Sequence, residues 1–389
     1  MTAADAIGRH VLELETPALV VDLDLLEANI ARAAAYAELR GLALWPHLKT
    51  HKTVEVAARQ RAAGAVGFTV AKSREAELFA AAGFGPLLLH YPAWGEEKWR
   101  RLAEVAGQVP LTVALDGLGA AEGLARALRA RGTRADVLVE LDAGMGRTGV
   151  ADAHEALALA QAIERIAGGG AAAGGGRGAT GSGATGGGVL HVAGISCYPG
   201  HVRGTLDQVR ARLAEVDALL CATRDAFTRA GIDCARISGG STATLQLSHE
   251  TCMTEVRAGN YVFLDRSEAR GGWSAADAAL RVHAAVVSTA VPGRMVLDAG
   301  AKTLSEAGPP AGLTGWAQVA TAPGAEVVAL NEEHAVCVLP QGATARVGDR
   351  HELVPNHACT CANLHPFLYA ARGGVVEEVW PLIARGEVR

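Results

Sequence analysis

The chain lacks several features that would narrow its class. It has no strong charge excess. Its 36 Lys and Arg stand against 41 Asp and Glu, leaving a formal net charge of -5. The sequence-independent attraction of a basic protein to nucleic acid is therefore missing, and no nucleic-acid partner is expected. Cysteine is sparse and odd in number: seven, at 197, 221, 234, 252, 337, 359 and 361. That argues against a disulfide framework and for a reducing, cytoplasmic setting. The opening MTAADAIGRHVLELETP has no apolar h-region, and Arg, Glu, Asp or Gly interrupts every apolar run before it reaches membrane-spanning length. Neither a signal peptide nor a membrane span is expected. Two phosphate-binding signatures are also missing, the G-x-x-x-x-G-K-[ST] loop and an early G-x-G-x-x-G turn.

What is present is apolar bulk and glycine. Half of the 389 residues are hydrophobic. That excludes global disorder and suits two or three domains. Of 47 glycines, 12 fall within residues 168–188, a stretch with one charge and no large apolar side chain. Nothing in it can offset the entropy of ordering, so it reads as a flexible, disordered loop insertion.

The first two-thirds alternate apolar strand-like runs with helical patterns. Strands are expected at 18–23, 42–49, 66–71, 87–91, 111–116, 137–142, 192–198, 235–240 and 261–265. Helices are expected at 51–63, 73–82, 95–106, 118–131, 152–167 and 204–230, with another starting at a cap formed by Asp24 and Glu27. Gly64, Gly83, Gly107, Gly132 and Gly231 fall where helix C-terminal glycines belong. This α/β order fits a (β/α)8 TIM-type barrel with one strand outside it. After Asp265 the texture becomes β-rich, with short strands at 280–300, 314–320, 325–330, 334–339 and 344–347 and a closing strand at 375–383.

Five clusters can carry chemistry, four of them at expected strand ends, where TIM-type barrels place their sites. The first is Pro46-His47-Leu48-Lys49-Thr50-His51-Lys52. A lysine there, desolvated and flanked by cationic neighbours, is expected to have a lowered pKa and to suit Schiff-base chemistry. A solvated basic loop is the competing reading. The second, Glu140 to Gly149, sets three glycines around Arg147. The third is Tyr198-Pro199-Gly200-His201. The fourth, Ser238-Gly239-Gly240-Ser241-Thr242, has the small residues and free N–H groups of a phosphate nest, and Tyr261 can add a hydroxyl. For both glycine-rich stretches a plain turn is the alternative. The fifth is Pro355-Asn356-His357-Ala358-Cys359-Thr360-Cys361, with His365 nearby. In extended backbone His357, Cys359 and Cys361 would share one face. Imidazole and thiolate suit Zn²⁺, although this is not a zinc-finger spacing.

Taken in order, TPALVVDLDLLEANI (16–30), PHLKTHK (46–52), ELDAGMGRTGV (140–150), YPGH (198–201), SGGST (238–242), EVRAGNYVFLD (255–265), LDAGAKTLS (297–305) and PNHAC (355–359) resemble the fold-type III pyridoxal-phosphate (PLP) enzymes with an alanine-racemase-like barrel. Within them, the closer branch is the D-serine dehydratase and D-threonine aldolase group. The resemblance implies an N-terminal segment 1–30 whose strand packs with the β domain, a PLP-binding barrel over 31–266, and a β-rich domain over 267–389 carrying the metal motif. It implies that Lys49 holds PLP and acts as catalytic base, with His201 as a second catalytic candidate. Arg147 would face the pyridine nitrogen. Tyr198, Gly239, Gly240, Ser241, Thr242 and Tyr261 would complete the cofactor site. His357 and Cys359 would bind a divalent metal, Zn²⁺ or alternatively Mn²⁺. The expected partners are a small D-amino acid substrate and a second copy of the chain in a homodimer.

Within this branch His-x-Cys favours dehydratases and His-x-Asp aldolases. The expected reaction is thus a D-serine dehydratase type elimination giving an oxo acid and ammonia. D-threonine aldolase type cleavage to glycine and an aldehyde is the first alternative, and amino-acid racemisation the second. Cys361 could add or exchange a ligand. Arg203, beside His201, could meet a second substrate carboxylate, as in 3-hydroxyaspartate.

Overall fold

The computed structural model describes residues 3–168, 188–268 and 273–389. The glycine-rich insertion, between its end residues Gly168 and Gly188, lies outside the described residues. Strand β1 (Ala18–Asp22) and helix α1 (Leu23–Leu39) come first. Eight strands follow: β2 (Ala43–Leu44), β3 (Phe68–Val70), β4 (Leu87–Leu89), β5 (Leu111–Leu115), β6 (Ala135–Leu141), β7 (Leu190–Cys197), β8 (Arg236–Gly239) and β9 (Glu255–Val256). Between them run α2 (Val54–Ala62), α3 (Ser73–Ala81), α4 (Glu96–Val105), α5 (Leu118–Arg131), α6 (Ala153–Ala167) and α7 (Leu206–Ala230). The remainder holds β10 (Leu280–Ser288), β11 (Arg294–Leu297), β12 (Ala317–Val319), β13 (Glu326–Leu330), β14 (Ala335–Val338), β15 (Arg350–Pro355), β16 (Phe367–Arg372) and β17 (Val375–Pro381). Two short helices, α8 (Ala301–Leu304) and α9 (Ala358–Ala362), lie among these strands.

The chain divides into two compact units. One comprises Ala37–His47, Ala65–Arg257 and Glu387–Arg389; the other comprises Met1–Tyr36, Leu48–Gly64 and Ala258–Gly386. The first is the barrel. Its eight strands run parallel in the order β2-β9-β8-β7-β6-β5-β4-β3. The ring closes where the chain leaving β2 meets β3: Val66 N–H donates to the Leu44 carbonyl at 3.1 Å and Thr69 N–H to the Pro46 carbonyl at 2.8 Å. All five residues of β5 and all three of β4 are buried. Strands covered on both faces read as continuous apolar runs, which is why they were visible in the sequence. Trp45, Leu88, Leu138 and Ala193 form one apolar cluster of this unit. Gly67 makes room for Trp45, since a Cβ there would lie 2.3 Å from the indole. Arg236 stacks on the same ring at 4.6 Å and forks onto Glu255 with two bonds of 3.0 Å. Helices α5 and α7 end on Gly132 and Gly231, both left-handed at φ 72°, a conformation that favours glycine.

The second unit is built on antiparallel pairing. Strands β10, β11, β14, β13, β12 and β15 close into a six-stranded ring through the β10–β11 pair. One long strand makes this possible: Leu280–His283 of β10 pair with β1, while its far end, Val286–Ser288, pairs with β11. β1 also pairs in parallel with β16, and β17 forms the edge beyond it.

Several sequence expectations fail for identifiable reasons. The strand expected at 42–49 lasts two residues and gives way to a 3-10 turn, Leu48–Thr50, that carries Lys49; Pro46 has no N–H to donate, and beyond it only an isolated bridge, His47 to Thr69, continues the pairing. The run at 261–265 is not the last barrel strand. Asn260–Val262 form a 3-10 turn, and the last barrel strand is β9, Glu255–Val256, lying between β8 and β2. Tyr261, Val262, Phe263 and Leu264 are fully buried, and a short apolar run does not distinguish a buried strand from a buried turn. The cap of α1 is Asp22, which accepts the Leu25 N–H at 3.0 Å, while Asp24 and Glu27 pair with Arg372. No strand forms at 344–347; β15 was missed because Arg350, His351 and Glu352 break its apolar pattern, and β16 because its run is short and includes Ala370 and Ala371, weak strand formers.

Candidate active site

In the unit containing the antiparallel ring, Lys49 sits one turn before α2, whose N-cap Thr53 accepts the Val56 N–H at 3.3 Å. Its neighbours are not the cationic ring expected from the sequence. His51 is fully buried, and burial pushes its pKa down to about 3, so it is neutral. Its Nδ1 accepts the Thr53 N–H at 3.2 Å. Lys52 turns to Asn363 Oδ1 at 2.8 Å and to the Ala384 carbonyl at 3.2 Å. Tyr261 is buried, and its hydroxyl accepts from Gln60 Nε2 at 3.0 Å. Burial raises its pKa, so it remains a neutral phenol that can donate.

The same unit assembles the expected metal pair. His357 precedes α9 in extended conformation, but Ala358–Ala362 are helical, so the shared-face reading of an extended strand does not hold. Cys361 Sγ instead donates to the Thr303 carbonyl at 3.2 Å, and His365 Nε2 lies 3.0 Å from that same oxygen. Burial raises the Cys361 pKa, leaving it a protonated thiol.

Cys359 is different. Thr50 Oγ1 lies 3.2 Å from its sulfur. Burial pushes this thiol up, but His357, Lys49 and Thr50 together outweigh it, and the net shift is downward. The His357 pKa is pushed up to about 11, chiefly by the Cys359 charge, with Asp265 adding to it against burial. Each of the two groups thus favours the charged form of the other.

Sequence reasoning gave no role to Asp265, which orients this pair. Its carboxylate is 1% exposed and Oδ2 lies 3.3 Å from His357 Nδ1. Asn260 Nδ2 and the Ala358 N–H donate to Oδ2, at 2.6 and 2.7 Å. Ser267 donates twice to Oδ1, through its N–H at 2.8 Å and its hydroxyl at 2.6 Å. Burial raises its pKa, but His357 and these donors reverse the shift, so it stays ionised. A carboxylate on Nδ1 leaves Nε2 to face a metal, the usual second partner of a ligating histidine. One nitrogen and one sulfur donor, held this way, fit a Zn²⁺-like ion with open positions.

The barrel unit carries the glycine-rich clusters. After β6, the carboxylate of Asp142 accepts the N–H groups of Gly144, Met145 and Gly146 at 2.9, 2.8 and 2.8 Å. Gly149, at φ 108°, lies so close that a Cβ would come 2.4 Å from the Asp142 nitrogen. This folded loop sets Arg147 over the Tyr198 ring at 4.8 Å. The His201 ring packs over Gly144, where a Cβ would approach Nε2 to 3.2 Å. Arg203 folds back onto the Gly200 carbonyl at 3.1 Å.

After β8, Gly240 adopts φ 79° and the Ser241 N–H donates to Thr244 Oγ1 at 2.8 Å. Thr244 holds this turn in shape, a role the sequence did not signal. Ser241 and Thr242 are buried hydroxyls on glycine backbone, a donor set that fits a phosphate. Beneath them Arg257, also missed, bonds Ser238 Oγ and the Cys197 carbonyl at 2.5 and 2.6 Å. Nearby Glu140 accepts from Thr148 Oγ1 at 2.7 Å, and burial raises its pKa.

Comparison with known proteins matches residues 21–175 to the family model "Alanine racemase, N-terminal domain" and residues 279–371 to "Putative serine dehydratase domain". A D-threonine aldolase from Arthrobacter sp is 34% identical over 387 residues, 97% of this chain and 95% of that protein. The D-threo-3-hydroxyaspartate dehydratase of Delftia sp. strain HT23 is also 34% identical, over 389 residues, 95% of this chain and 97% of that one. Solved variants of a D-threo-3-hydroxyaspartate dehydratase, 30% identical to this chain, replace a histidine and a cysteine two positions apart, and the cysteine variant is in a metal-free form. The crystal structure of D-threonine aldolase from Filomicrobium marinum superposes with a TM-score of 0.86 at 30% identity, covering 98% of this chain and 99% of that one. A D-serine dehydratase from Schizosaccharomyces pombe is more distant, 24% identical over 408 residues, 96% of this chain and 92% of that one. Among the described residues no helix is long and apolar enough to cross a membrane. With a parallel barrel, an antiparallel β unit and full-length relatives at this identity, the chain belongs to the fold-type III PLP-dependent lyases that include D-threonine aldolase and D-threo-3-hydroxyaspartate dehydratase.

Proposed function

We propose that this protein eliminates water from a D-3-hydroxy amino acid, giving an oxo acid and ammonia, with PLP and a divalent metal of Zn²⁺ type. The observation that carries this reading is the His357–Cys359 pair oriented by Asp265. A thiolate favours zinc over harder Mn²⁺, and the solved dehydratase variants replace residues of the same kinds at the same spacing. D-3-Hydroxyaspartate and D-serine are the first substrates to test. Racemisation would leave the metal pair without a task.

Each residue takes a definite role. Lys49 Nζ would anchor the cofactor and is the group that would accept the α-proton. Arg147, held by the Asp142 loop and Tyr198, would lie against the cofactor ring as a cation. Gly239, Gly240, Ser241 and Thr242 hold the phosphate through amides and hydroxyls, and the neutral Tyr261 hydroxyl donates to it. His201, packed over Gly144, would be the second catalytic group. His357 Nε2 and Cys359 Sγ hold the metal, and Asp265 fixes the imidazole. PLP, when bound, supplies an electron sink for charge at the α-carbon. The metal, when bound, supplies Lewis acidity at the β-hydroxyl. The protein works in this reading as a homodimer, which light scattering on the eluting species checks.

The deciding experiment incubates PLP-loaded protein with D-serine, D-threonine or D-3-hydroxyaspartate, with and without Zn²⁺ or Mn²⁺, and measures ammonia against glycine. Metal-dependent ammonia is expected. Glycine without ammonia overturns the dehydratase reading in favour of cleavage, which the resemblance to D-threonine aldolases keeps as the second reading.

A further inference from the structure

Two cysteines unused by this mechanism lie together in the barrel unit. Asp217 and Cys221 are one turn apart on α7 and so share a face. Cys252 follows the 3-10 turn Leu245–Glu250 that leads from the Gly239–Thr244 turn towards β9. Asp217 Oδ1 accepts the Cys252 N–H at 2.6 Å and lies 3.5 Å from Cys221 Sγ, which donates to it. One ligand atom from each residue, two sulfurs and a carboxylate oxygen, all fall within 4.8 Å of one another, and all three residues are half-buried.

We propose that Asp217, Cys221 and Cys252 form a second metal site, for a thiophilic divalent cation of the Zn²⁺ or Cd²⁺ class, with a fourth position left to water. The geometry is close to what such an ion needs. Tetrahedral zinc with bonds of about 2.3 Å sets its sulfurs roughly 3.8 Å apart, so closure requires movements of about 1 Å or less. Two thiolates and a carboxylate overcompensate the divalent charge by one. Arg224, forked onto Asp225 at 3.0 and 2.9 Å, also acts electrostatically on both sulfurs and offsets part of the surplus. Both sulfurs bind as thiolates, so metal binding releases protons. An occupied site would tie α7 to the segment that leaves the proposed phosphate turn. It is chemically separate from the His357–Cys359 pair, which offers one sulfur and one nitrogen.

The test titrates reduced, PLP-loaded full-length protein with Cd²⁺ alone, reading the thiolate-to-cadmium charge-transfer band and the bound metal per chain. Cys221→Ser and Cys252→Ser are each expected to bind one equivalent fewer than wild type. His357→Ala removes a different equivalent, and the two losses add. Asp217→Asn retains an acceptor for the Cys252 amide. It should keep the metal-free melting temperature while weakening the same equivalent by at least about tenfold. Unchanged stoichiometry in both serine variants, or unchanged affinity in Asp217→Asn, overturns the proposal.

Discussion

The barrel unit and the antiparallel unit build their functional residues by opposite means. Around Arg147 and Ser241 the barrel uses backbone amides, hydroxyls and missing Cβ atoms: Asp142 gathers three consecutive N–H groups, and Gly149 fits only because it has no side chain. Around Cys359 the other unit uses titratable charge, with a buried carboxylate, an imidazole and a thiol shifting one another. The first construction responds mainly to added volume. The second should respond to protons and, in the proposed reading, to metal.

The largest expected effect is at Lys49, which in the proposed reading both anchors the cofactor and moves a proton. Lys49→Ala should abolish the visible absorbance of protein-linked PLP and lower turnover by about 10³-fold or more, on the scale of general-base and covalent catalysis. An unchanged spectrum would sink the assignment. Next is volume in the Arg147 loop. Gly149→Ala combines positive φ with a 2.4 Å backbone clash and should weaken PLP binding and stability by about 1–3 kcal/mol. Gly146→Ala, at φ 63° with open space around it, should cost only about 1–2 kcal/mol. Equal losses would mean that the close approach at Gly149 is not what shapes the loop.

Charge is tested separately. Asp265→Asn should lower metal affinity about 10–100-fold while leaving the PLP spectrum intact, read by equilibrium dialysis against zinc. Loss of both together would blur the contrast between the two constructions.

Acid should then act on the antiparallel unit through His51, whose pKa drops from 6.5 to about 3 on folding. Its stabilising contribution is full above the unfolded pKa and is lost as pH falls from about 6.5 towards 3. Across that window the unfolded state binds the extra proton, a slope of about 1.4 kcal/mol per pH unit. His51→Asn, which keeps an acceptor for the Thr53 N–H, should flatten denaturant-derived stability against pH by up to that slope. The smallest effect is expected from joining Gly168 to Gly188. A Cβ on Gly188 would stand 3.1 Å from the Ala167 carbonyl oxygen, so the ends already meet. PLP binding and melting temperature should change little, because loop-closure entropy varies slowly with length.

Much of the barrel was legible because parallel strands covered on both faces are continuous apolar runs and their helices end on glycine. The antiparallel ring was less legible: β15 begins Arg350-His351-Glu352 and hides its strand behind polar residues. Among site residues, Lys49, Arg147, Gly239–Thr242, His357 and Cys359 stood out as unusual residue types beside strand ends or in tight spacing. Asp265, Thr244 and Arg257 gave no such signal, since each acts through a partner distant in sequence or through a folded turn.

By itself the sequence determined the composition of both units, the order of the motifs and the residue types available for chemistry. These are local properties, written in periodicity and spacing. Tertiary structure decided that His51 is neutral, that Cys359 rather than Cys361 joins His357, and that Asp265 holds that histidine. Such outcomes depend on desolvation and on charges brought within a few ångströms by folding. No spacing along the chain encodes either of them.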